Sequence, residues 1–239
     1  MKVIVIIPAA GLGTRMASSA DSSRKKGSAK QFAELGGTPI LIHTIRKFSA
    51  TPSLSGIWIA LRKNEIQSFR ARLDKEGLTD IQLVEGGEHR QHSVAKALAA
   101  VTAAPEDIVL VHDGVRPFVT NQIIQDVIQG AMKYGAAIAG LPAVDTVKQV
   151  DRTADGAIIT ATMPRERLVM AQTPQGFRYD VLKKAFDEAD ADGFLGTDES
   201  SLVERSGHEV AVVMGSVRNI KITNPSDLEL AEFYLKSAN

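Results

Sequence analysis

Short apolar runs alternate with segments of helical period along most of the chain. Residues 3–7, 57–61, 81–84, 108–112 and 136–141 are short and rich in β-branched side chains, which reads as strands. Between them, residues 40–48, 65–75, 93–101 and 121–133 place apolar side chains at helical spacing, and a further amphipathic stretch covers 228–235. Strand, helix, strand at this spacing predicts an α/β fold with a mainly parallel sheet flanked by helices on both faces. Strand twist makes the crossovers right-handed. Thr38 before Pro39, Thr120 before Asn121, and Ser93 are expected to cap helices, with cap candidates again in Thr223-Asn224-Pro225-Ser226-Asp227. Gly77 and Gly135 are expected stops.

Two regions break this rhythm. Residues 17–29 are polar, serine-rich and basic, and read as a loop. Residues 144–172 hold short alternating segments around Asp155-Gly156, a hairpin signal that predicts a protruding β-arm. An arm of that kind needs a partner to cover it, so a homodimer is expected.

Charge narrows the partners. Lys plus Arg equals Asp plus Glu at 28 each, so no overall field recruits nucleic acid or an acidic membrane. Any bound anion has to be held by local clusters of cations. The absence of cysteine excludes a disulfide scaffold, thiolate zinc sites and a cysteine nucleophile, and suits the cytoplasm. The apolar run at 3–7 is too short for a membrane span and lacks the cleavage pattern of a signal peptide, so a soluble protein is expected.

Residues 8–16 read Pro-Ala-Ala-Gly-Leu-Gly-Thr-Arg-Met, directly after the first strand. Small residues at 9–11 and 13 let the backbone approach a phosphate chain, and Arg15 can set a fixed fork on phosphate oxygens. The same residues also fit a tight strand-to-loop turn. A dinucleotide fingerprint fails at Met16, and a Walker loop would need Gly-Lys-Ser or Gly-Lys-Thr. Lys30 can offer a point charge to a triphosphate, although Arg24, Lys25 and Lys26 lie nearby. Gly86-Gly87-Glu88-His89-Arg90 ends the third strand before a helix, a setting for close ligand approach or a plain βα turn. Residues 111–117 (VHDGVRP) fall at the carboxyl end of the fourth strand, the edge where open parallel sheets bind ligands. There Asp113 can hold a ribose hydroxyl or Mg²⁺, or form a structural ion pair with Arg116, while His112 reads as structural. Later pieces around Thr146 and Lys148, Arg165, Thr197 and Lys221 each also fit an arm, a turn, a cap or an edge-strand charge, but as a set they offer hydroxyls, a carboxylate and cations for a phosphorylated polyol.

These blocks, in the order PAAGLGTRM, AKQF, EGGEHRQHSV, VHDGVRP, DTVK, TPQGF, TDESS and NIKIT, resemble the 2-C-methyl-D-erythritol 4-phosphate cytidylyltransferase family from residue 3 to the C-terminus. The resemblance implies one Rossmann-like nucleotidyltransferase domain over residues 1–239, with a β-arm at about 144–172 through which the family dimerises. It implies transfer of CMP from CTP to the sugar-alcohol phosphate with release of pyrophosphate, assisted by Mg²⁺. Arg15 and Lys30 match residues that stabilise the transition state, and Arg165 and Lys221 match those that position the substrate phosphate. Pro8, Ala9, Ala10, Gly11, Gly13, Gly87 and Ser93 match the nucleotide site, with Asp113 near the ribose and the metal. Asp113, Arg116, Thr146, Arg165, Thr197 and Lys221 match the polyol pocket. The chain departs from the pattern in Ala29 before Lys30, where proline is usual, in a longer basic loop, in Glu88 for aspartate, and in Gly114-Val115 for Ala-Ala. A sister enzyme acting on ribitol 5-phosphate would share the nucleotide site.

Overall fold

The computed structural model describes residues 1–11 and 30–237. Eleven strands and seven helices follow one another among these residues. The first strand, β1 (Val3–Pro8), shows how the sheet is built. Val3, Val5 and Ile7 pack into one core and Ile4 and Ile6 into another, so the period of two places apolar side chains on both faces. β1 pairs in parallel with β4 (Gly56–Leu61) on one side and with β6 (Ile108–Val111) on the other. β5 (Ile81–Glu85) extends the sheet beyond β4.

The predicted strands and helices are present, within a few residues at each end. α1 (Ile40–Ser49), α2 (Lys63–Lys75) and α4 (Asn121–Tyr134) cover one face, and α3 (Arg90–Ala100) covers the other. The last helix, α7 (Pro225–Lys236), joins Leu228 and Ala231 to a third cluster that includes Leu35, Ile40, Val115 and Ile222. Thr120 Oγ accepts from the Ile123 N–H and Gly135 ends α4 at φ 85°, as expected of a cap and a stop. Asn224 and Asp227 form a capping box at the start of α7.

Two expected caps are corrected. Thr38 does not cap α1; β3 (Thr38–Pro39) pairs with β2 (Glu34–Leu35), and Pro39 takes the cap position with no side-chain bond. Ser93 does not open α3, which begins at Arg90.

The second half adds elements beyond those predicted. β10 (Val169–Arg178) inserts antiparallel between β6 and β7 (Ala136–Pro142), and β11 (Ala211–Met214) pairs in parallel with β7. The sheet order is β11-β7-β10-β6-β1-β4-β5. α5 (Tyr179–Ala191) and α6 (Glu199–Arg205) join α3 on its face. The arm is a separate two-stranded sheet of β8 (Lys148–Thr153) and β9 (Gly156–Thr162), exposed along nearly its whole length. Among the described residues no helix is long and apolar enough to cross a membrane.

Candidate active site

β1 sends its chain onward to β4 on one side, while β6 flanks it on the other, so the carboxyl edge beside β1 is a topological switch point. A cleft opens there. It is lined by the loop Pro8–Gly11, by Lys30, by Gly87 to Arg90, by Ser93 and Asp113, and by Lys221.

The loop after β1 is fixed from behind. Buried Gln31 donates through Nε2 to the carbonyl of Ala9 at 2.6 Å and to that of Gly11 at 3.4 Å. Arg62 Nε donates to the Ala10 carbonyl at 3.0 Å. Gln31 belongs to a short 3₁₀ helix, Lys30–Phe32, so the residue that ties the loop also carries its neighbour Lys30 to the cleft.

The opposite wall is the start of α3. Ser93 Oγ accepts from the Gly87 N–H at 3.1 Å and lies 3.1 Å from the His89 carbonyl, which closes the turn before the helix. The turn also lies tight on the facing loop, because a Cβ at Gly86 would stand 2.5 Å from Ala10 Cβ. The N-terminal end of α3 therefore faces the cleft, where its unpaired N–H groups and dipole favour an anion.

At the floor, Asp113 follows β6 and is buried. Its Oδ1 accepts from Arg90 Nε at 3.3 Å, and its Oδ2 meets Lys221 Nζ at 2.9 Å and Arg116 Nε at 3.4 Å. Burial opposes the charge on Asp113, but Arg90, Lys221 and Arg116 outweigh it and hold the carboxyl far below the ordinary range. Arg90 also grips Glu199, with Nη1 at 2.7 and 2.8 Å from its two oxygens. Among the described residues, the three cations of this floor share two carboxylates, which leaves one positive charge in excess within the cluster.

Arg116 sits behind the floor and donates to the Asn219 carbonyl at 2.7 Å. Beneath Asp113, His112 is fully buried, with Nε2 at 3.1 Å from the Arg116 carbonyl and Nδ1 at 3.1 Å from Thr173 Oγ. A carbonyl only accepts, so the proton lies on Nε2 and Thr173 donates to Nδ1. Thr173 Oγ in turn accepts from the Asp113 N–H at 3.0 Å.

A cleft at the switch point, a glycine-alanine loop on one side, a helix start on the other and a cationic cluster on the floor describe a site for phosphate chemistry. The model of the 2-C-methyl-D-erythritol 4-phosphate cytidylyltransferase family matches residues 3–237. The chain belongs to that family. A relative of that name from Acidobacterium capsulatum is 57% identical over 99% of this chain and 98% of its own length. Another from Solibacter usitatus is 52% identical over 99% and 96%. Among solved structures, the Francisella tularensis 2-C-methyl-D-erythritol 4-phosphate cytidylyltransferase superposes with a TM-score of 0.81 at 34% identity, covering 98% of this chain and 99% of that one. The 4-diphosphocytidyl-2C-methyl-D-erythritol synthase of Anaerococcus prevotii gives 0.82 at 30% identity, with coverage of 98% and 96%.

Of the residues that the sequence marks for this site, Pro8, Ala9, Ala10, Gly11, Lys30, Gly87, Ser93, Asp113 and Lys221 come together around one cleft. Arg116 reaches it through Asp113. Thr146, Arg165 and Thr197 are exposed and do not line the cleft within a single chain. Arg165 lies in a 3₁₀ turn after β9, its Nη1 donating to the Val144 carbonyl at 2.8 Å. Gly13, Arg15 and the basic loop at 17–29 lie outside the described residues. Gln31, Arg90, Thr173 and Glu199 are additions. Each sits inside a motif block, but its role rests on a partner distant in sequence.

Proposed function

We propose that the chain transfers the cytidylyl group of CTP to 2-C-methyl-D-erythritol 4-phosphate, giving 4-diphosphocytidyl-2-C-methyl-D-erythritol and pyrophosphate. One observation carries the reading beyond family membership. Lys221 is held 2.9 Å from buried Asp113 at the floor of the cleft that Lys30 and the loop Pro8–Gly11 also line. A phosphate bound over Lys221 would lie beside a triphosphate seated on the loop and the start of α3.

In this reading a monoester oxygen of the alcohol phosphate attacks the α-phosphorus of CTP in line. A new P–O bond forms, the bond from the α-phosphorus to the bridging oxygen breaks, and pyrophosphate leaves with that electron pair. The attacking phosphate is largely ionised at neutral pH, so no strong general base is required. Catalysis is then positioning plus stabilisation of charge on the α-phosphoryl oxygens. Lys30, with Arg15, serves that charge, and Lys221, with Arg165, positions the acceptor.

Mg²⁺ belongs to the proposal as a companion of the nucleotide, where it would neutralise charge on the triphosphate oxygens. The floor does not fit Asp113 as a direct ligand, because three cations already take up its two oxygens. The described residues contain no cluster of three or more acidic or histidine side chains that could hold a metal ion.

The β-arm supports a homodimer as part of the same proposal. A lone two-stranded hairpin is marginal in water, and this one exposes Val150, Ile158 and Ile159. In such a dimer the exposed Thr146 and Arg165, at the foot of the arm, are available to a site other than the cleft of their own chain. A reducing cytoplasm suits the cysteine-free composition.

Pyrophosphate release from CTP, measured with methylerythritol 4-phosphate and with ribitol 5-phosphate as acceptors, tests the reading. Turnover with the first well above the second is expected. Turnover with ribitol 5-phosphate alone, or with neither, would overturn it.

A further inference from the structure

Glu199 has no place in the chemistry above, yet it is the most deeply enclosed carboxylate near the cleft. It opens α6, is 1% exposed, and lies 109 residues from its partner Arg90. Burial pushes its carboxyl above the ordinary value while Arg90 pulls it down. A buried acid with one cationic partner among the described residues is costly unless the pair does something that an apolar pair would not.

The distances say what. Arg90 stands between two carboxylates and divides itself unequally, at 2.7 and 2.8 Å to Glu199 but 3.3 Å to Asp113. The closest cation to Asp113 is instead Lys221, at 2.9 Å. We propose that Glu199 is a positioning residue, which by drawing Arg90 toward itself reserves Asp113 for Lys221 and so fixes the ammonium that receives the acceptor phosphate.

Without the charge on Glu199, Arg90 turns its fork fully onto Asp113, a planar match that a point-charge ammonium cannot equal. Lys221 is then loosened from its tether. Two effects of the substitution oppose each other. The cleft gains net positive charge, which favours anions, and it loses an aimed ammonium, which disfavours one anion in particular. The second wins, because a charge in a wet, open cleft is screened whereas a misplaced contact is lost outright.

This inference rests on the cytidylyl-transfer reading, and the experiment separates the two. Native enzyme and Glu199→Gln are compared by steady-state kinetics with both substrates varied, alongside Arg90→Gln and the double variant. Glu199→Gln is expected to raise KM for the alcohol phosphate about tenfold and to leave KM for CTP within about twofold. If Glu199 acts only through Arg90, the double variant matches Arg90→Gln, since coupled residues do not add. An unchanged or lowered KM for the alcohol phosphate, equal rises in both KM values, or additive losses would each overturn it. Should Glu199→Gln fail to fold, Arg90→Gln and the double variant, which has no unpaired acid, decide alone. Matching KM values support the proposal and a further rise in the double variant overturns it. A native chain without turnover would remove the functional reading and this inference with it; native turnover with an indifferent Glu199→Gln removes only the inference.

Discussion

At His112 the imidazole is closed in on every side, by Thr173 at Nδ1, the Arg116 carbonyl at Nε2 and the ring of Phe48 at 4.8 Å. Burial lowers its pKa to about 4; Asp113 and the bond to Arg116 work against that fall, while the charges of Arg116 and Arg90 add to it. Below about pH 6.5 the unfolded chain takes up a proton that the folded chain refuses. The stability contributed by the neutral ring is therefore complete above that pH and declines as the pH drops toward 4. The shift corresponds to about 3 kcal/mol over this window. Denaturant unfolding at pH 7 and pH 4 should show the native chain losing that much more than His112→Gln; equal losses would mean that the ring titrates normally. The sequence already marked His112 as structural, from its place on a buried strand. It also gathered Lys30, Asp113 and Lys221, because motif blocks report residues that meet at one sheet edge. It could not pair Arg90 with Glu199, since nothing local distinguishes a buried glutamate at a helix start from a solvated one.

Elements with one dominant signal were legible, and those held by mixed signals were not. β1 and β4 to β7 are short apolar runs between helical segments, and the sheet follows from them. β10 escaped because its buried middle carries Gln172, Thr173 and Gln175, polar side chains that hide a core strand. They are buried for their bonds: Thr173 to Asp113 and His112, Gln175 to Asp198 and Ser200, and Gln172 to Ser216 and Asn219. The helix α5 is an exception to that rule: Val181, Leu182, Ala185, Phe186 and Ala189 carry an open helical period, yet the segment is not among the predicted helices. The turn between β5 and α3 yields a prediction at this scale. Gly86→Ala would press a methyl to 2.5 Å from Ala10 and 3.0 Å from Ser93 Oγ, so one wall must yield. A loss of about 1–3 kcal/mol in stability, with a raised KM for CTP, is expected from thermal unfolding and steady-state kinetics. Unaltered values for both would show that the two walls are not in firm contact.

For the molecule as a whole, the arm is the feature that one chain cannot explain. Ile158 and Ile159 are 62% and 60% exposed on a strand that belongs to no larger sheet, and Val169 and Met170 are exposed at the start of β10. Replacing both isoleucines by aspartate should convert a homodimer to a monomer in sedimentation analysis while the far-UV circular dichroism stays native. A dimer that survives the change would place the interface elsewhere. β10 gives the arm a further meaning. It begins at the arm's foot with Val169, shifts register against β7 between Ala171 and Gln175, and within that irregular stretch presents Thr173 to the backbone of Asp113. The strand is therefore a tie-rod, anchored at its start where a second subunit would lean and at its middle under the acid that holds Lys221. In the proposed dimer, subunit contact and the proposed acceptor site would share a single piece of backbone, so loosening the one would slacken the other as well.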